Sequence, residues 1–259
     1  MKKPKVCILR TAGTNCDKET ASAFLLAGSE PELLHINSLV GGKESLDNFH
    51  ILALPGGFSY GDDVASGKIF ANELRFKLAD SLHKFIGSGK LIIGICNGFQ
   101  ILVKSGLLPN GAQLEQDTSL IINDSGKFEA RWVYLKSCGR CAWTRGLKEI
   151  IYLPVAHGEG KFITKEKSVL NRLKTNKQIV FQYCDASGNL SGYPDNPNGS
   201  HESIAGITDE TGRILGLMPH PERHIFSMHH PRNWNLGTKK SGDGLQIFKN
   251  GVDFIKKNF

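Results

Sequence analysis

Residues 91–103 constrain the fold of this chain more than any other stretch. Leu91-Ile92-Ile93-Gly94-Ile95 is a short, β-branched apolar run after Gly89-Lys90, the pattern of a parallel strand buried on both faces. Phe99, Leu102 and Val103 then fall at helical spacing, and Gly106 stops the helix. Between strand and helix sits Gly94-x-Cys96-x-Gly98, a nucleophile-elbow pattern with cysteine in place of serine. So tight a turn needs glycine on both sides, because a side chain there would strike the strand or the helix. It also sets the sulfur at a helix N-terminus, where free N–H groups and the helix dipole favour negative charge. These residues alone leave open whether Cys96 is a nucleophile or one of the buried structural cysteines common in protein cores.

The strand–helix alternation continues on either side. Lys5 to Leu9 reads as a first strand, followed by the polar loop Thr11–Asn15 and a helix capped by Asp17 and ended by Gly28. Strands are expected at Glu32–Ile36 and Phe49–Leu54, the latter running into Pro55-Gly56-Gly57-Phe58. One long amphipathic helix is expected over Ile69–Ile86, with Phe70, Leu74, Leu78, Leu82 and Phe85 on one face. Beyond Pro109 the pattern changes to short strands joined by Gly/Asn/Asp turns, at 120–123, 128–135, 150–155, 178–184, 204–208 and 214–217. A closing helix spans about 245–257. The reading is an α/β fold of flavodoxin-like type. It has a central, mostly parallel sheet with helices on both faces and an antiparallel extension, in one domain over 1–259. Functional groups in such sheets collect at the carboxyl ends of the strands.

With 259 residues, 40% hydrophobic and 22% charged, the chain has the composition of a soluble globular protein, and no apolar run nears the ~20 residues of a membrane helix. The basic start, Met1 to Arg10, is too short in its apolar part for a signal peptide, so a cytoplasmic protein is expected. Six cysteines in this length suit a reducing compartment better than a disulfide scaffold. Cys138 and Cys141 have Cys-x-x-Cys spacing but no second pair, so no metal is expected there. The net charge of +7 raises nucleic-acid binding. The lysines are scattered, however, and lack interleaved aromatics, so no nucleic-acid partner is expected. The segment Gly61–Ile69 is not a phosphate loop: its spacing is one residue too long, and Ile69 stands where Ser or Thr is required.

A cysteine nucleophile needs a base, and the base needs an orienting group. The run Ile214–Leu217 delivers His220 at the carboxyl end of a strand, the same edge as Cys96. Pro221 is expected to hold the backbone extended, so that His220 and Glu222 project to one side. A surface turn would account for His-Pro-Glu equally well. His220 and His224 have metal-ligand spacing, but Pro221 opposes the continuous helix that spacing needs. Candidate oxyanion donors are the N–H of Asn97 and the turn Gly56-Gly57-Phe58.

Taken together, Pro55-Gly56-Gly57, Gly94–Gln100 and Pro219–Glu222 resemble the three signatures of class I (triad) glutamine amidotransferase domains. Closer still, 57–62, 96–100, 156–160, 196–200 and 218–223 resemble, in order and over nearly the whole chain, the glutaminase subunits of phosphoribosylformylglycinamidine synthases. The resemblance implies Cys96 as nucleophile, His220 as base and Glu222 as its partner. It implies Gly57, Phe58, Asn97 and Gln100 as groups that bind glutamine or its oxyanion, and His157 and Asn198 as site or interface residues. It further implies glutamine hydrolysis through a glutamyl thioester, without metal or cofactor in this chain. The ammonia would pass to a large ATP-dependent synthetase subunit, which would bind ATP and magnesium, with a small accessory subunit. There formylglycinamide ribonucleotide becomes the amidine in purine biosynthesis. The segment Cys138–Arg145 and the basic loop 233–242 depart from the pattern. Competing readings are the glutaminase subunit of another amidotransferase, a cysteine hydrolase of related fold, and a non-catalytic scaffold.

Overall fold

In the computed structural model, which describes residues 3–139, 141–231 and 241–259, the run 91–95 is a strand with every residue buried. It lies near the centre of a nine-stranded sheet. The first half of the chain supplies β1 (Lys5–Arg10), α1 (Asp17–Leu26), β2 (Glu30–His35), α2 (Ile36–Val40), β3 (Ile51–Leu54), α3 (Lys68–Lys77), α4 (Ala79–Gly87), β4 (Leu91–Ile95), α5 (Asn97–Lys104) and α6 (Leu107–Asn110). The second half supplies β5 (Thr118–Ile121), β6 (Glu129–Ser137), β7 (Ile150–His157), β8 (Lys161–Thr164), α7 (Lys167–Thr175), β9 (Ile179–Cys184), β10 (Ile204–Thr208), β11 (Ile214–Leu217) and α8 (Leu245–Asn258).

The sheet order is β2-β1-β3-β4-β11-β10-β9-β6-β7, and β5 pairs with β8 apart from it. Neighbours from β2 through β11 run parallel, and those from β11 through β7 run antiparallel. The parallel body with an antiparallel extension is therefore as expected. Connections leave β1 toward one edge and β3 toward the other. Right-handed crossovers then put α1 on one face and α3 to α5 on the opposite one. The direction reverses between β1 and β3, so their carboxyl ends frame the crevice where such folds bind ligands. Beneath it, Phe24 of α1 meets Phe248 of α8 edge to face, 5.0 Å between centroids.

Several elements differ from the reading of the sequence. The long helix breaks at Leu78 (φ −124°, ψ 12°) into α3 and α4. The stripe Phe70, Leu74, Leu78, Leu82 runs unbroken across the break, and neither glycine nor proline marks it. Cys16, not Asp17, is the cap residue of α1; Asp17 is its first helical residue and pairs with Arg10 at 3.2 Å. The strand β8 and the helix α7, rich in lysine and short of apolar residues, were not legible. Most of the basic loop 233–242 and Arg140 lie outside the described residues.

Candidate active site

Cys96 joins β4 to α5 with φ 53° and ψ −107°, a conformation that an L-residue adopts only where the surroundings enforce it. The enforcement is visible. Its N–H donates to the Leu217 carbonyl of β11 at 2.8 Å, and its carbonyl accepts from the Gln100 N–H at 3.1 Å. The flanking glycines permit the turn by close approach: a Cβ at Gly98 would stand 1.8 Å from the Leu54 carbonyl oxygen, and one at Gly94 2.5 Å from that of Gly98. The Cys96 thiol donates to the Ala156 carbonyl at 3.6 Å and is 5% exposed.

β11 lies beside β4, with Leu217 opposite Ile95, so its carboxyl end brings His220 to the same edge. The His220 N–H is held by the Pro154 carbonyl at 2.8 Å, and its Nδ1 meets Glu222 Oε1 at 2.6 Å in a fully buried contact. The backbone there is not extended as the sequence suggested. Pro221 opens a 3₁₀ turn over Pro221–His224, because its fixed φ suits the first position of a helical turn. The two side chains still meet. Burial pushes the imidazole toward neutrality, but the charges of Glu222 and Cys96 outweigh it and hold His220 well above the usual histidine range. His224 points elsewhere, its Nδ1 on the Tyr152 carbonyl at 2.7 Å.

Gly56 marks where the groups converge. A Cβ there would lie 2.8 Å from His220 Cε1, 3.2 Å from Cys16 Sγ and 3.4 Å from Cys96 Cβ. Cys16 was not singled out from the sequence. It enters the site from the loop after β1, the other lip of the crevice, and the strand-order rule was the only signal for it. Its sulfur accepts from Arg223 Nη2 at 3.1 Å, and its thiol donates to Asn15 Oδ1 at 3.2 Å. Among the described residues, Cys16, His220 and Glu222 bring one donor atom each within 4.8 Å of one another, a set that could hold a soft cation.

The expected oxyanion donors divide. Asn97 is the first residue of α5, so its N–H belongs to the open first turn. Gly57 (φ 145°) pairs with Thr14 in a bridge whose bonds run from the Phe58 N–H to the Gly13 carbonyl and from the Asn15 N–H to the Gly56 carbonyl. The Gly57 N–H stands outside that bridge, whereas the N–H of Phe58 is committed to it at 2.9 Å. The ring of Phe58 is half exposed and stacks on Phe128. Gln100 is buried: its Nε2 donates to the Glu159 carbonyl at 2.6 Å and its Oε1 accepts from Asn97 Nδ2 at 2.9 Å. One amide hydrogen and one lone pair remain for another partner.

His157 ends β7, next to the Ala156 that meets Cys96. Its Nδ1 lies 3.2 Å from Asn123 Oδ1, while its buried Nε2 has no partner. Burial, with the charge of His220, lowers its pKa to about 4. Asn198 is fully buried and reaches the site indirectly, donating from Nδ2 to the Tyr183 hydroxyl at 3.2 Å. Cys138 and Cys141 lie far from this edge in contacts of their own, with Gln182 Oε1 (3.0 Å) and Thr144 Oγ1 (3.6 Å).

A cysteine on a strained elbow faces a histidine held by a glutamate, and residues 3–255 match the CobB/CobQ-like glutamine amidotransferase domain, which places the chain among the glutamine amidotransferases. Phosphoribosylformylglycinamidine synthase subunit PurQ of Dehalococcoides mccartyi is 50% identical over 99% of this chain and 100% of its own length. That of Methanococcus maripaludis is 46% identical over 98% of each. The chain belongs to this PurQ family. A chain of the PurLQS structure from Thermotoga maritima superposes with a TM-score of 0.74 at 32% identity, covering 97% of this chain and 99% of that one.

Proposed function

We infer that this chain is the glutaminase subunit of a phosphoribosylformylglycinamidine synthase, releasing ammonia from glutamine for the amidination step of purine biosynthesis. The observation that carries the reading is the meeting of Cys96, at its enforced elbow, with the buried His220–Glu222 pair. Glu222 accepts from Nδ1–H of His220, and its negative charge favours the imidazolium, in which Nε2 carries a proton as well. The Cys96 thiolate attacks the side-chain amide carbon, and the oxyanion that forms is held by the N–H groups of Gly57 and Asn97. Phe58 acts through its ring, not its amide. His220 Nε2–H protonates the leaving nitrogen, ammonia departs, and a glutamyl thioester remains on Cys96. Water, deprotonated by His220, then releases glutamate. Every step uses groups of this chain, and none calls for a metal.

The ammonia is passed to a PurL-type synthetase subunit that binds ATP and magnesium, with a small third subunit completing the assembly. The relatives' name as a synthase subunit and the PurLQS designation of the Thermotoga structure support a synthetase partner. The names of the chain's relatives support a cytoplasmic site of action, and among the described residues no helix is long and apolar enough to cross a membrane. The test is glutamate release by the purified chain, alone and with its synthetase. Cys96→Ala is expected to abolish it, and release that survives the substitution overturns the reading.

A further inference from the structure

The second sulfur at the site is not explained by glutamine hydrolysis. Cys7 shows what a structural cysteine looks like here: it sits wholly inside the apolar core, with burial holding its thiol far above the reactive range. Cys16 is as deeply buried but lies among polar groups. Arg223 Nη2 stands 3.1 Å from its sulfur and Asn15 Oδ1 3.2 Å. The imidazole of His220 presses on the same point, and so does Cys96. Both Cys16 Sγ and Cys96 Cβ touch a single methyl-sized volume above Gly56, so the two cysteines stand within two van der Waals contacts of each other. His220 Nε2 has no hydrogen-bond partner of its own and feels both sulfurs. Burial, with the charge of Glu222, holds the Cys16 thiol above its usual range, and His220 and Arg223 offset only part of that rise.

We propose that Cys16 is the resolving thiol of a reversible active-site disulfide with Cys96, formed under peroxide. The proposal rests on Cys96 being the reactive thiolate of the glutaminase reading. That thiolate attacks one oxygen of hydrogen peroxide; the O–O bond breaks, the leaving hydroxide takes the Nε2 proton of His220 and departs as water, and Cys96 becomes a sulfenic acid, with Nε2 now free to accept a proton. Cys16, giving its proton to His220, attacks that sulfur. The S–O bond breaks, hydroxide leaves with a proton as a second water, and the S–S bond forms. Two thiols and one peroxide thus give one disulfide and two waters. Bonding requires the Asn15–Cys16 segment to close on Cys96, since bridged cysteines have Cβ atoms about 4 Å apart. The disulfide stops catalysis but spares the nucleophile from irreversible oxidation, and a dithiol restores it.

The experiment treats the full chain with hydrogen peroxide, alkylates the remaining thiols, and maps the peptides by mass. Glutamate release is followed in parallel after reassembly with the synthetase, before and after reduction. A linked Cys16–Cys96 peptide should appear in step with lost activity, and both should reverse with dithiothreitol. In Cys16→Ser, recovery relative to its own untreated rate should fall several-fold, with Cys96 carried to sulfinic acid. Inactive protein in which Cys16 still alkylates overturns the proposal, as does full recovery in Cys16→Ser. Peptide mapping of the unsubstituted chain decides the matter even if that variant folds poorly. Glutamate release surviving in Cys96→Ala is a separate failure, that of the glutaminase reading, because the disulfide is read by mass and not by activity.

Discussion

Gly56→Ala should silence the site with a single methyl group while leaving the fold standing. Gly56 does not adopt a positive φ, so alanine meets no backbone strain there. The whole effect is steric: its Cβ would be 2.8 Å from His220 Cε1, where carbon contacts prefer about 3.5–4.0 Å, so the ring must retreat by roughly 1 Å. The ring has little room to do so, because Nδ1 is bound to Glu222 at 2.6 Å and the pair is buried. A displacement of about 1 Å at the chemical step costs on the order of 100-fold in rate. Overpacking costs about 1–3 kcal/mol, a fall in Tm of several degrees. Steady-state glutamate release by the complex and a thermal melt measure both. The loss should fall in kcat more than in KM. Gly87→Ala, with nothing within 4 Å and ordinary φ, serves as the control and should gain up to about 1 kcal/mol in its helix. Release within twofold of the unsubstituted protein, with an unchanged melt, would refute the convergence of His220, Cys16 and Cys96 on that point.

Three further outcomes follow from the same geometry. Glu222→Gln removes the charge that holds the imidazolium against burial, so the alkaline limb of the pH–rate profile should move to lower pH. Losing a charge-assisted bond of about 1.5–3 kcal/mol should cost at least ~10-fold in rate; an unmoved limb contradicts the pairing. His157 is neutral down to about pH 4 when folded and near 6.5 when unfolded, so the unfolded state binds the extra proton between those values. Stability should therefore drop as pH is lowered through that window, by up to about 3 kcal/mol from this residue, and His157→Gln should flatten that part of the Tm–pH curve. Finally, Cys96, His220 and Glu222 are 5%, 2% and 2% exposed, so glutamine needs the site to open. Adding the synthetase should raise glutamate release at least several-fold, and a rate indifferent to it would count against a partner-dependent opening.

Much of this site was legible before any coordinates because its geometry is written in backbone requirements. Gly94 and Gly98 cannot carry a Cβ against Leu54 and the helix, and that demand leaves a spacing in the sequence. His220 was found because an apolar strand ends just before it, and strands β4 and β11 are neighbours. What the chain concealed depends on tertiary placement. Cys16 reaches the crevice only because the sheet order reverses between β1 and β3, which no local pattern reveals. The commitment of the Phe58 N–H to Gly13 is likewise a contact between two loops about 45 residues apart. The break at Leu78 is invisible because both helices keep their apolar stripe in register, and the 3₁₀ turn after Pro221 because proline suits extended and helical φ alike.

The most direct measurement is to quench the complex with acid while it turns over glutamine carrying a labelled carbon chain, then locate the bound label by peptide mapping. The label should sit on the peptide containing Cys96, be discharged by a thiol at neutral pH as thioesters are, and be absent from Cys96→Ala. Label on any other residue, or steady glutamate formation with no bound label and no dependence on Cys96, would contradict the nucleophile assignment on which the account stands.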